Sequence, residues 1–315
     1  MPMPQLKLVT VDYDKVKDAI AKPDQREFNT SFHSLEEAPD LTRPSEAPYA
    51  FNRWLPLILS TRSVTSPSVQ TITLSRPEAR LLLNTAEGSL QTKTVNRMFA
   101  EDLEDEIKPL LRGLTVPPEG LFLRLDACSP KDGAHLVPGK IALHTVDEVI
   151  LRLVTSQRAR NALFHSLEDG HVSFDLFFLP FDDRMRIERE YRVYCPPGGQ
   201  RITGISQYQW HKPWIFANRG GHERTAIAQA ILDEATRIHR LVLDDLKDSD
   251  PMDKLLLEQG FSFDLFFDEH SKTCELVELN GFGVRSSCGS CLFQWVKDRH
   301  QLYRSSDQVE FRVTH

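Results

Sequence analysis

The sequence predicts an α+β fold in two lobes, and three observations carry that prediction. Residues 189–208 and 261–279 each read as two strands joined by a turn. Helical periodicity is confined to separate stretches, above all 145–163 and 224–246. At 315 residues and 40% hydrophobic content, the chain is long enough for a sizeable core divided between lobes.

Taken in order, residues 1–48 are polar, rich in Pro, Asp and Glu, and read as a loosely attached arm with a weak helical period around 11–20. Order begins at FNRWLPL (51–57), where Trp54 suits a core aromatic under a Pro turn, and continues into a strand-like run, SVQTITL (68–74). Leu103, Ile107, Leu110 and Leu111 have helical spacing within 100–114, interrupted by Pro109, and the acids at 101–106 suit its solvated start. LFLRLD (121–126) reads as a strand with Arg124 and Asp126 facing outward, running into the turn ACSPKDG. Thr145 and Glu148 form a capping box for an amphipathic helix continuing towards Leu163. VSFDLFFLPF (172–181) is a very apolar strand.

REYRVY (189–194), a Pro/Gly turn and ITGISQY (202–208) form the first hairpin. The longest helix, 224–246, carries Ile227, Ile231, Ala235, Ile238, Val242 and Leu246 along one stripe and should pack behind the second hairpin. His239, between its apolar positions, reads as a packing residue. Residues 296–315 read as a charged tail without a motif, so the domain proper should span 49–300, with its lobes dividing near 170 and a tail over 301–315.

The second hairpin concentrates the chemistry. If Asp264 opposes Glu278, then Asp268 opposes Cys274, and period two puts Asn280 on the face of Glu278. Such alternation also describes the solvated face of a half-buried sheet. Here, however, Phe263, Leu265, Phe267, Leu276 and Leu279 make both strands heavily apolar, and inward acids in such a setting need pairing or a cation. Oxygen donors of this kind suit Mg²⁺, which takes one or two carboxylates together with phosphate oxygens. Gly281 and Gly283 then permit close approach of the backbone to a ligand.

Composition excludes several classes. A net charge of −7, from 38 basic and 45 acidic residues, gives no global attraction to nucleic acid or anionic lipid. The N-terminus lacks the pattern of a secretory signal, no 18-residue apolar run occurs, and five cysteines do not form a disulfide framework, so a membrane is not expected and a reducing, cytoplasmic setting is. Neither a P-loop nor a G-x-G-x-x-G fingerprint is present. Cys288 and Cys291 have C-x-x-C spacing without a second pair for zinc, which favours a structural role over a metal or redox role.

The run ELVELNGFG followed by SCGSCLFQW resembles the C-terminal signature of the cell division cycle protein 123 family, and three further stretches agree in order. Phe51, Trp54, Pro56 and Leu57 match its opening, LRLDACSPKD its basic strand and Ser-x-Pro-basic-Asp turn, and Glu190, Arg192, Ser206 and Gln207 its Glu-aromatic-Arg and Gly-Ile-Ser-Gln pair. The resemblance spans about 51–295. It implies an ATP-grasp fold, two lobes whose antiparallel sheets clasp ATP and Mg²⁺, preceded by a small N-terminal element. It further implies that Arg124 and Lys131 contact the nucleotide phosphates, and that Asp264, Glu278 and Asn280 hold the metal. Phe178 and Leu179 suit a hinge for adenine, or simply a core strand ending at Pro180. Glu190 belongs to the nucleotide site by the same resemblance, and Arg192 is placed over the γ-phosphate, where it would stabilise developing charge; the bland reading of the two is a surface pair. Glu278, Gly281 and Arg124 stand where the family pattern has Asp, Pro and Lys, which suits a diverged paralogue. Eukaryotic members act as assembly chaperones for translation initiation factor 2, binding its γ subunit. The alternative is an ATP-grasp ligase that activates a carboxylate or nucleic-acid end.

Overall fold

The computed structural model describes residues 5–62, 69–137, 139–304 and 308–315. Ser68 of the expected first strand, residues 1–4 of the expected arm and residues 305–307 of the expected tail lie outside them. Among the described residues the strands are, in chain order, β1 (Gln5–Val11), β2 (Gln70–Ser75), β3 (Leu121–Leu125), β4 (Ser173–Pro180), β5 (Glu190–Cys195), β6 (Gly204–Gln207), β7 (Phe261–Asp268), β8 (Thr273–Gly281) and β9 (Gln308–Thr314). With the intervening helices they make a mixed α+β fold, and backbone contacts group the chain into two units, residues 66–183 and the remainder.

In the unit formed by residues 66–183, β2, β4 and β3 form an antiparallel sheet with β4 in the middle. Its apolar face packs with the helices Arg76–Thr92, Val146–Val154 and Gln157–Glu168 around Leu82, Leu123, Ile150, Leu163 and Phe178. The expected capping box is present: Glu148 N–H donates to Thr145 Oγ1 at 3.2 Å and Thr145 N–H to Glu148 Oε2 at 3.1 Å. The helix stops earlier than its periodicity suggests, because Ser156 caps a second helix, accepting from Ala159 N–H at 3.0 Å. Around Pro109, which has no N–H to return to the carbonyl four residues back, the stretch from Ala100 to Leu111 widens through a π turn, Leu103–Ile107.

The other unit has a six-stranded mixed sheet in the order β1-β9-β6-β5-β7-β8. Both expected hairpins form, β5 with β6 and β7 with β8. The helix Gly221–Asp245 packs on the second hairpin, where Glu234 accepts from Cys274 N–H at 2.9 Å and Arg237 donates to Cys274 O at 2.9 Å. His239 is buried on this helix, with Nε2 2.6 Å from Gly199 O and its ring stacked on Phe261, a packing role as read from the sequence. Trp54 is a core residue too, but on the helix Phe51–Ser60, its indole N–H donating to Pro48 O at 2.8 Å.

Two corrections concern the ends. The expected polar arm contains β1, and the expected charged tail contains β9, which lies inside the sheet between β1 and β6. Composition hid the alternation of the tail: Val309, Phe311 and Val313 are buried, while Glu310 and Arg312 satisfy each other at 2.7 Å. Lys7 adds a bond to Glu310 at 2.8 Å, and Asp298 two to Arg312 at 2.7 and 2.8 Å. Charged residues thus occupy an interior strand because their partners are built into neighbouring elements.

Candidate functional site

The register brings the predicted acids together. Asp264 lies opposite Glu278, and Arg192 on β5 lies opposite Asp264 on the other side of β7. Asn280, opposite Ser262, donates from its amide to Asp264 Oδ2 at 3.3 Å. Beyond this the sequence register fails: Phe267 faces Cys274 and Asp268 faces Thr273, because a β-bulge beside Asp264 leaves Val277 without an opposite residue. The bulge lets Leu276 pair with Leu265 while Glu278 stays opposite Asp264, a division that strict period two forbids.

Arg192 is the partner that sequence reasoning did not give Asp264. Its Nε donates to Oδ1 at 2.8 Å and its Nη2 to Oδ2 at 2.7 Å, a bidentate pair between two buried side chains. Nη1 donates to Gly289 O at 2.7 Å, and the guanidinium lies 4.9 Å from the ring centre of Tyr208, a residue not singled out from the sequence. The surface pair of Glu190 and Arg192 is corrected: both are buried, and the ion pair runs to Asp264. Burial opposes the Arg192 charge, but Asp264 more than offsets it, so the guanidinium pKa stays raised. Burial pushes the Asp264 carboxyl up, Arg192 pulls it down, and Glu278 pushes it up again. A further acid on this hairpin, Glu275, escaped the sequence reading and sits 3.2 Å from Arg184.

The loop after β8 is held by its carbonyls. Those of residues 288 to 292 accept in turn from Trp295 Nε1 (3.1 Å), Arg192 Nη1 (2.7 Å), Tyr194 Oη (2.7 Å), Asn29 N–H (2.7 Å) and Arg312 Nη1 (3.1 Å). Gly281 and Gly283 serve this packing and not open ligand space: a Cβ at 281 would lie 2.8 Å from Ser286 Oγ, and at 283 it would lie 2.7 Å from Tyr303 Oη, with φ at +110°. Cys288 and Cys291 are buried thiols without a disulfide. Burial raises their pKa values to about 11 and about 12, the opposite of a reactive thiolate. Cys288→Ser and Cys291→Ser are therefore expected to leave the protein folded, with melting temperatures lower by a few degrees and no change in bound metal by elemental analysis. Zinc bound stoichiometrically to the parent and lost in either variant would refute the structural role.

The remaining expected residues lie in the unit of residues 66–183. Arg124 is not outward: the burial of β3 is nearly continuous and Arg124 is only 6% exposed. Lys131 is exposed on a turn pinned by its neighbour Asp132, which accepts from Gln157 N–H at 2.8 Å. Phe178 is fully buried in the core, so its ring has no face for a base to stack on. β2 begins at Gln70, opposite Phe178, so among the described residues Leu179 and Pro180 are strand-paired only on the β3 side.

The donors fit a hard cation. Two adjacent carboxylates and an amide can offer oxygen ligands of the kind Mg²⁺ takes. Among the described residues no group of three or more His, Cys, Asp or Glu side chains is placed to hold a metal by itself. A cation here would need water or phosphate oxygens to complete its shell, the habit of Mg²⁺.

The family profile D123 matches residues 83–315 of the chain. Two solved structures are similar in fold. That of Cdc123 from Schizosaccharomyces pombe has a TM-score of 0.56 at 17% identity, with 86% of this chain and 99% of that chain covered. Its C-terminally truncated form gives 0.54 at 18% identity, with 84% and 95% covered. No curated protein matches the chain in sequence.

Proposed function

Because the chain belongs to the D123 family, that of cell division cycle protein 123, we propose that it binds ATP with Mg²⁺ in the manner of ATP-grasp proteins and acts as an assembly chaperone for the γ subunit of translation initiation factor 2. The observation that carries the nucleotide half is the convergence of Asp264, Glu278 and Asn280 on one sheet face around a fixed guanidinium. Asp264, Glu278 and Asn280 would hold the cation, which when bound neutralises phosphate charge. Arg192 keeps Asp264 oriented through two bonds and has two N–H groups left for an anionic ligand. Arg124 and Lys131 supply further cations to the phosphates in this reading, Glu190 belongs to the nucleotide site, and the backbone at Leu179 serves adenine. The chaperone half is supported by family membership.

Glu278→Ala tests the nucleotide half, since it removes a proposed ligand and leaves the Arg192–Asp264 pair in place. Calorimetry with ATP and Mg²⁺ is expected to show affinity lower by about tenfold or more, since each tenfold corresponds to ~1.4 kcal/mol. Unchanged affinity in the folded variant sinks the metal assignment. For the chaperone half, the purified chain with ATP and Mg²⁺ should retain recombinant γ subunit in stoichiometric amount. ADP or AMP release that depends on a small acceptor, with no retention, would favour a ligase.

A further inference from the structure

We infer that Asn29, 163 residues before Arg192 in sequence, is not itself a ligand but a positioning residue for Arg192 and, through it, Asp264. The inference rests on the nucleotide reading above and adds to it a part of the chain that no motif reaches.

 The two residues do not bond to each other; the loop of residues 289–291 lies between them and is hydrogen-bonded to both.

Asn29 grips that loop twice. Its backbone N–H donates to Cys291 O at 2.7 Å, and its side-chain Oδ1 accepts from Cys291 N–H at 3.2 Å. It does so from a left-handed backbone, with φ at +49°, a conformation that Asn tolerates better than most residues. Thr30 extends the grip: its N–H donates to Ser290 Oγ at 2.9 Å, its carbonyl accepts from Ser290 N–H at 3.1 Å, and its Oγ1 accepts from Trp295 N–H at 3.1 Å. The loop is shaped to receive this contact. A Cβ at Gly289 would lie 2.3 Å from Asn29 Oδ1, so only glycine lets the amide come so close.

What the loop presents on its other side is the carbonyl of Gly289, which takes Nη1 of Arg192 at 2.7 Å. This third bond fixes the plane of the guanidinium, and the plane fixes which lone pairs of Asp264 are occupied by Nε and Nη2 and which remain for a cation. Loss of the Asn29 side-chain bond lets residues 289–291 shift, and a shift of the Gly289 carbonyl turns the guanidinium and the carboxylate with it.

The test uses the full chain with two substitutions at one position. Asn29→Gly removes the side-chain acceptor while keeping the left-handed backbone free of strain, and Asn29→Asp keeps an oxygen for the Cys291 N–H. Calorimetry with Mg²⁺ and ATP is expected to show affinity about fivefold lower in Asn29→Gly, the scale of one hydrogen bond, and restored in Asn29→Asp. Gly289→Ala, which pushes on the same contact from the loop side, should lower it likewise and serves if Asn29→Gly does not fold. A lower melting temperature with unchanged Mg²⁺-ATP affinity in the folded variants would overturn the inference and leave Asn29 a purely structural residue. Glu278→Ala run in parallel separates the two readings. Weakened binding there with none in Asn29→Gly or Gly289→Ala sinks only the positioning role, whereas unchanged binding in Glu278→Ala sinks the nucleotide reading and this inference with it.

Discussion

Asp264→Ala is expected to lower stability by about 3–5 kcal/mol and to abolish Mg²⁺-dependent ATP binding. The stability loss follows from what remains: Arg192, 7% exposed, would keep its charge with its only bidentate partner among the described residues gone. The pair is costly to break and much less costly to replace, since well-packed apolar groups of similar volume avoid the desolvation of both ions. The double variant Arg192→Met with Asp264→Leu should therefore recover most of the stability and none of the binding. Denaturant titrations of the parent and the two variants check this directly. A single Asp264→Ala variant within about 1 kcal/mol of the parent would mean that water reaches Arg192 and that the pair is weaker than its geometry implies.

The second large effect lies at the other end of the chain. Phe311→Ala is expected to cost about 3–5 kcal/mol, the range for deleting a fully buried aromatic side chain. Phe311 is fully buried, its ring centre 5.6 Å from that of Tyr191 and 6.4 Å from that of Trp214, so its removal opens a cavity among residues of β5 and β9. Phe311→Asp should prevent this unit from folding, because a carboxylate there has no designed partner. If Phe311→Ala changed the denaturation midpoint by an amount worth less than about 1 kcal/mol, β9 would not be the buried interior strand described.

The parts of the fold that were legible in the sequence are those where one strand names its neighbour. Phe261–Asp268 and Thr273–Gly281 alternate, are separated by turn residues and carry matched acids, so the pairing of Asp264 with Glu278 follows from period two. The slip beyond it does not, because a bulge at Val277 is a choice between two packings that composition leaves equal. The Arg192–Asp264 pair was hidden for another reason. It joins β5 to β7, strands separated by the whole helix Gly221–Asp245, and local spacing carries no information about which distant strand becomes the neighbour. Both acids and Arg192 were identified as site residues, but as independent ligands, and the structure makes two of them partners. Glu310 and Arg312 misled in the opposite direction: charge suggested a solvated tail where alternation of Val309, Phe311 and Val313 already spelled a strand.

The pairing of β1 with β9 sets an order on how the chain can fold. Gln5 is bonded in register with Gln308, so the parallel ladder closes a loop of nearly the whole chain, a contact of very high sequence separation whose entropy must be met before it contributes anything. Residues 66–183 are contiguous and can reach their native contacts as soon as they leave the ribosome. β1 is synthesised first and must wait longest, its edge without its native neighbour until β9 emerges some 300 residues later. A lysine in the middle of β1, Lys7, facing a Glu310 not yet made, is the kind of edge residue that resists pairing with the wrong strand in the meantime.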